Sequence, residues 1–479
     1  MPDWLYYSNM PRWAQQLLPI VVLLTVIVLV LSRLPKVELE TPLSDRFRRR
    51  RVANWLPLGM TYAFLYFGRY NLAALKIKGV EALTEQQYGD IFFVGALVYG
   101  FAFLINGPLT DRLGGRKTIL IAAAGAAAAN AAMGLLAMHG ALGQQVTALA
   151  ILYGANMYFQ SFGAVSIVKV NAHWFHVRER GVLGGMFGIL ISLGVYFAFD
   201  WGRRISITWP HDSQWVFLIP AAVLALFLVI DFFVIRDSPA KAGYDDFDVA
   251  DASSGETGPR RPALEVIVSL LKNPIIVTIA IIEFCSGFLR NAIMHWYPDF
   301  ASSLGLKGGF VYQNWGMLLC VAGITGGMFA GILSDRLFDS RRGPVAGLLY
   351  GLMLAGAVVL VPLLGLPSSV GWMVVFMSMA IIGVHGMLSG TASADFGGKN
   401  NAGIAVGLID GCVYLGTALQ SIVLGNLLPA KESAEATDIS AWRVWPYAMV
   451  PLAVIGLVLC IRVWYARPQP KIATAVEPS

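Results

Sequence analysis

The sequence predicts an all-α integral membrane protein of the helical-bundle kind, and three observations carry that prediction. Of its 479 residues 57% are hydrophobic and only 13% charged, with a mean hydropathy of +0.64, whereas soluble domains carry about 25% charged residues. The apolar residues fall in long runs of helical length between short polar loops, unlike the weak alternating segments of a porin-like barrel. Lys and Arg are spread unevenly between those loops, and the asymmetry orients the runs in the bilayer.

The first apolar run, 17–31, is followed by Arg46, Arg48, Arg49, Arg50 and Arg51. A signal peptide places its positive charge before the apolar part and small residues at a cleavage site after it. Residues 1–52 are therefore expected to hold an uncleaved extra helix, N-terminus outside, and a basic cytoplasmic segment. At about 15 residues an interfacial helix is the other possibility. Twelve further helices are expected. Six (55–75, 88–109, 118–138, 145–168, 182–201, 214–235) make an N-terminal half over 53–236. Six more (273–296, 312–333, 345–365, 371–392, 401–424, 444–464) make a C-terminal half over 273–466, before a cytoplasmic tail at 467–479.

With the basic cluster in the cytoplasm, 25 of the 35 Lys and Arg fall in cytoplasmic segments and 8 in external ones, as the positive-inside rule requires. The formal charge of +6 is thereby accounted for without nucleic acid. Between the halves, 237–272 contains Asp245, Asp246 and Asp248, then Ser253, Ser254 and Gly255, then Pro259, Arg260, Arg261 and Pro262. That composition cannot bury enough apolar surface to fold alone and reads as a solvated cytoplasmic linker.

The two remaining cations, Arg69 and Arg290, lie inside apolar runs. An arginine at bilayer depth costs about 2.5–3.5 kcal/mol on insertion scales, so each is expected to face protein, water or a ligand. Tyr62 and Tyr66 precede Arg69 by two turns and one turn, on roughly the same helical face. Glu283 precedes Arg290 by two turns, again on one face. Either it or Asp410 could hold an arginine as a salt bridge, the role preferred here, or carry a proton; Asp410 could equally line a water-filled path. His295 and His385, each alone among apolar residues, read as satisfied polar groups. Cys285, Cys320, Cys412 and Cys460 lie in apolar segments without paired spacing, as packing residues. Gly-rich runs such as 323–327 read as sites of close helix approach.

The device repeats. Arg69 and Arg290 are 221 positions apart and Asp111 and Asp335 are 224 apart, so two features recur in nearly one register, as in transporters built from parallel repeats. Gly107, Asp111, Arg112, Arg116 and Lys117 resemble the G-x-x-x-D-R-x-G-R-[KR] signature of the major facilitator superfamily with one extra glycine. Asp335 and Arg336 give a degenerate second copy. The chain is further similar to the organophosphate:phosphate antiporter family through Tyr62, Tyr66, Arg69 and Asn71; Leu289, Arg290, Trp296 and Pro298; Gln160, Gly163, His173, Trp174, Phe175, Glu179, Arg180 and Gly181; and Lys399, Ala402, Gly403, Tyr414, Leu415 and Gly416. Against that family's pattern, Phe103, Ile191 and Cys320 stand where some members have a lysine, a histidine and a glutamate. Glu283 and Asp410 add carboxylates where most are neutral.

The resemblance implies a monomeric secondary carrier in a bacterial-type inner membrane, in contact with lipid, moving a small anionic phosphate ester in exchange for inorganic phosphate. Planar guanidinium forks suit that cargo, because they make bidentate charge-assisted bonds to its oxygens and stay charged. Expected to bind substrate are Arg69, Arg290, Tyr62, Tyr66, Tyr99, Asn71, Gln160 and Tyr414. Glu283 and Asp410 are assigned to coupling or charge balance. Asp111, Arg112, Arg116, Lys117, Asp335 and Arg336 are expected at a cytoplasmic gate. Proton or sodium symport and a sugar-phosphate sensor remain as alternatives. No nucleophile with a base, no phosphate-cradling loop and no metal-ligand spacing is present, so neither an enzyme nor a cofactor or metal is expected.

Overall fold

A computed structural model describes residues 44–76, 83–176, 180–246, 262–338, 341–429 and 433–465, with Pro11, Ala14, Val21, Thr25 and Val249 besides. The side chains of 180–187, 335–336 and 390–399 are not among those described. The expected N-terminal helix at 17–31 and the tail at 467–479 lie outside the described residues.

Twelve principal helices follow in order: α1 Asp45–Tyr70, α2 Glu85–Leu113, α3 Gly115–His139, α4 Val146–Trp174, α5 Arg180–Tyr196, α6 Trp215–Val234, α7 Pro274–Ser303, α8 Trp315–Leu337, α9 Arg342–Leu363, α10 Pro367–His385, α11 Ser393–Leu427 and α12 Val444–Arg462. Their starts obey local chemistry. Ser44 caps α1 by accepting from Phe47 N at 3.2 Å, Thr84 and Gln87 close a capping box on α2, and Asn273 caps α7 ahead of Pro274 at its first turn. No β-strand occurs among the described residues.

Nine helices among the described residues are long and apolar enough to cross a bilayer. The chain is a multi-pass membrane protein. α1, α4 and α5 are not among the nine; α1 is buried on every side from Thr61 to Tyr70 and α4 from Gln160 to Ala172. A helix shielded from lipid can carry polar side chains. α6 and α12 lie at the periphery and expose Leu226, Val229, Phe232 and Phe233, and Val454, Val458 and Ile461.

α1–α6 pack among themselves, as do α7–α12, and the two groups meet along α2 with α11 and α5 with α8. The α2–α11 seam is tight because glycines line it: a Cβ on Gly403 would stand 2.6 Å from Gly107 O, and one on Gly407 2.5 Å from Phe103 O. The run 323–327 behaves similarly, with Gly326 against the carbonyl of Met379.

Two departures from expectation concern connections. α10 passes through a π-helical turn, Gly386–Ala392, straight into α11 with no intervening loop. Yet Ser389 Oγ donates to Asp410, 21 positions on, which a straight helix would hold about 30 Å away. The backbone therefore doubles back between them while keeping helical hydrogen bonds. The linker also is not wholly a solvated tether. Its end forms the helix Ala263–Leu271, whose Val266 and Leu270 pack with Ile276, Ile404 and Leu408, because Pro262 starts a helix whose apolar stripe finds the bases of α7 and α11.

Candidate functional site

The site is built from the interior helices outward. Arg69 is fully buried near the end of α1, and each guanidinium nitrogen has a hydrogen-bond partner. Nε donates to Gln160 Oε1 of α4 at 2.9 Å, Nη2 to the Tyr99 hydroxyl of α2 at 2.6 Å, and Nη1 to the Tyr414 hydroxyl of α11. Its carbon stands 4.2 Å from the Tyr66 ring centroid and 4.4 Å from that of Tyr99. A planar cation sandwiched between phenol faces gains cation–π attraction in place of lost hydration.

Arg69 is held from behind by an amide chain. Gln160 Nε2 donates to Asn156 Oδ1 at 2.9 Å, and Asn130 Nδ2 donates to the same oxygen at 3.0 Å. Asn156 Nδ2 reaches Gly68 O at 3.0 Å, and the Tyr153 hydroxyl donates to the carbonyl of Arg69 itself at 2.8 Å. Sequence reasoning missed Tyr153, Asn130 and Asn156; the two amides, each inside an apolar helix, were the available signal.

Asn71 is corrected. It was expected to bind substrate, but its Nδ2 donates to Asn130 Oδ1 at 2.8 Å and to Val216 O at 3.3 Å. The chain leaves α1 at Tyr70 and continues as a 3-10 turn, Asn71–Lys76, which swings this side chain into the network behind the arginine. Tyr62 is buried with its hydroxyl 3.5 Å from that of Tyr66. Tyr70, also not anticipated, packs its ring against Tyr66 at 5.8 Å.

Arg290 presents the opposite case. It sits mid-way along α7, 2% exposed, and among the described residues none of its three guanidinium nitrogens has a hydrogen-bond partner. Tyr414 lies between the two cations, its ring centroid 5.5 Å from the carbon of Arg69 and 5.9 Å from that of Arg290. The two guanidinium carbons are thus at most about 11 Å apart. Two forks gripping one tetrahedral anion through hydrogen bonds of about 2.8 Å need carbons roughly 8 Å apart.

The preferred salt bridge between Glu283 and Arg290 is not formed. Glu283 Oε2 instead lies 2.8 Å from Nδ1 of His385 on α10. Two helical turns amount to about 10.5 Å of rise, a longer reach than the gap to the neighbouring helix. Asp410 is 3% exposed and accepts from Ser389. His385 was set aside as an isolated polar residue; the structure makes it a partner.

At the end of the bundle that carries Arg46 to Arg51, Asp111 joins the two groups of helices. Its carboxylate pairs with Lys169 of α4 at 2.7 Å and accepts from Gly403 N at 3.2 Å and Ile404 N at 3.0 Å, while Lys169 Nζ donates to Asn400 O at 3.1 Å. Arg116 does not join this contact. Its Nη2 donates to Phe232 O at 2.5 Å and its backbone N to Asp237 at 2.7 Å, within the first group. Arg112 and Lys117 are exposed. The side chains of Asp335, Arg336 and Lys399 lie outside those described. Lys169, which the sequence does not single out, is the residue that completes the contact.

Toward the opposite end lies a cavity of about 90 Å³ whose lining includes Asp200, Arg203, His295, Asp299 and Tyr312. Between it and the arginines stand Tyr70, Phe92 and His295, with ring centroids 4.7–6.1 Å apart, His295 held by Tyr88 at 3.1 Å.

Comparison with known proteins follows the same lines. Residues 58–421 match the Major Facilitator Superfamily. The chain is 24% identical to a glycerol-3-phosphate transporter of Bacillus subtilis (strain 168) across 81% of this chain and 88% of that protein. It is 27% identical to the membrane sensor protein UhpC of Salmonella typhimurium across 80% and 86%, and 23% identical to a probable hexose phosphate transport protein of Chlamydia trachomatis across 88% and 92%. Among solved structures, the proton:xylose symporter XylE bound to 6-bromo-6-deoxy-D-glucose superposes with a TM-score of 0.65 at 13% identity, covering 86% of this chain and 95% of that one. That likeness concerns the fold alone.

Proposed function

The chain belongs to the Major Facilitator Superfamily, and from that premise we propose that it is a secondary transporter carrying a phosphate monoester, of the glycerol-phosphate or sugar-phosphate class, held between Arg69 and Arg290. The observation that carries this reading is the contrast between the two cations. Each guanidinium nitrogen of Arg69 has a hydrogen bond to protein, whereas the three nitrogens of Arg290, about as deeply buried, have no hydrogen-bond partner among the described residues. A buried charge without partners is costly, and a dianion supplies what the fold omits. Similarity to proteins named glycerol-3-phosphate and hexose phosphate transporters favours phosphate esters over other anions.

In this reading, the Asp111–Lys169 contact and the glycine seam close the cytoplasmic mouth, and the cavity beyond Tyr70, Phe92 and His295 opens toward the outside. Transport alternates between states in which the contacts between the halves, α2 and α4 with α11 and α5 with α8 among them, close first on one side of the site and then on the other. Inorganic phosphate, able to satisfy the same forks, is the exchanged anion. The protein acts as a monomer in a cytoplasmic membrane with its C-terminus inside and its N-terminus outside.

The test is counterflow: proteoliposomes loaded with inorganic phosphate should accumulate labelled glycerol 3-phosphate or hexose 6-phosphate, and unloaded ones should not. Similarity to a protein named a membrane sensor supports a second reading. A sensor would bind the ester without flux in the same vesicles.

A further inference from the structure

Glu283 on α7 and His385 on α10 are buried and joined at 2.8 Å, and Asp410 on α11 is buried against Ser389. Asp410 interacts electrostatically with both His385 and Glu283. Three titratable groups on three helices therefore share one buried compartment of the second half. Among the described residues no hydrogen bond or ion pair joins either carboxylate to an arginine, although Arg290 faces Glu283 and both arginines face His385 electrostatically. The other groups turned toward the compartment are Cys285 of α7, Cys412 and Tyr414 of α11, Cys460 of α12 and Tyr99 of α2, with Tyr350 of α9, whose hydroxyl donates to Ile282 O at 2.6 Å. Thiols and phenols ordinarily keep their protons at pH 7. The compartment's charge is accordingly set by Glu283, His385, Asp410 and the arginines.

The charges can be counted. The two arginines contribute two positive charges. With Nε2 of His385 protonated and one further proton between its Nδ1 and Glu283 Oε2, the pair is neutral in sum, whichever partner holds that proton. An ionised Asp410 leaves the empty interior with one net positive charge. A phosphate monoester dianion would turn that into one net negative charge, which a low-dielectric interior resists. One proton from water, forming an O–H bond on a carboxylate of this cluster, restores neutrality.

We propose that Glu283, His385 and Asp410 form a proton-binding site that takes up one proton when a phosphate monoester dianion occupies Arg69 and Arg290. The inference deepens the transport reading and rests on it. Each ester crossing the membrane is then accompanied by a proton, and a phosphate dianion returning on the same forks brings one back, so the exchange itself is proton-neutral.

Calorimetric titration of the full-length purified protein with glycerol 3-phosphate at pH 7.5, above the ligand's own second ionisation near about 6, tests it. Heats measured in two buffers of different ionisation enthalpy count the protons exchanged. Wild type is expected to take up close to one proton per bound dianion and none with the matching sulfate ester, a monoanion. Glu283→Gln, Asp410→Asn and His385→Gln are isosteric probes, and at least one should bind without proton uptake. Binding with no proton taken up by wild type, or uptake persisting in every variant that still binds, overturns the proposal while leaving the transport reading intact. Failure of wild type to bind any phosphate ester overturns both.

Discussion

Replacing Arg290 by methionine separates a ligand-binding cation from a structural one by the sign of a stability change. The arginine is 2% exposed and its three guanidinium nitrogens have no described partner. A buried polar group left unpaired costs about 1–3 kcal/mol, and more when charged. Methionine fills a similar volume without that cost, and Glu283 keeps its His385 partner. Ligand-free Arg290→Met is therefore expected to be more stable than wild type by about 1–3 kcal/mol. Removing one member of a buried structural ion pair would instead destabilise by about 3–5 kcal/mol. Ligand should reverse the order, since saturation at 100 times Kd adds about 2.7 kcal/mol to wild type only. Exchange flux should fall by roughly 100- to 1,000-fold, the equivalent of about 3–4 kcal/mol for two lost charge-assisted hydrogen bonds. The measurements are the Tm of detergent-solubilised protein with and without glycerol 3-phosphate, and counterflow in phosphate-loaded vesicles. A variant less stable than wild type without ligand, yet exchanging at a near-normal rate, would refute the assignment.

Arg69→Lys should lose both flux and stability, because three acceptors now served by one fork (Gln160, Tyr99 and Tyr414) cannot be matched by an ammonium; a Tm above that of wild type would contradict this. Tyr414→Phe removes the hydroxyl that Arg69 engages across the interface between halves and should lower flux about tenfold, in line with one charge-assisted bond of about 1.5 kcal/mol; unchanged kcat/KM would count against a bridging role. Asp111→Asn weakens the pair with Lys169 and the grip on Gly403 and Ile404. It should raise the labelling rate of a cysteine introduced at Asn400 by a membrane-impermeant thiol reagent applied from the cytoplasmic side, in a background lacking the native cysteines, and equal rates would argue that the seam holds without it.

Arg69 and Arg290 stand out in the linear chain because the cost of a cation in lipid belongs to its own helix and needs no knowledge of neighbours. Gln160 and Tyr414 were reachable only through resemblance, since nothing in α4 or α11 individually says that their side chains converge on α1. Asn71 misled for a local reason: one turn changing from α to 3-10 after Tyr70 rotates the residue two positions beyond Arg69 out of line. Glu283 misled for a geometric one. Spacing correctly put it on the face of Arg290, but sharing a face is not being in reach.

The helical class, the span pattern and the pair of interior cations are properties of segments, because insertion into a bilayer is decided run by run through apolar length and charge. Which cation is satisfied and which is left open, that Glu283 meets His385 across 102 positions, and that Asp111 grips α11 are properties of packing. Hydrogen bonds act over about 3 Å, and only the folded bundle determines which atoms come that close.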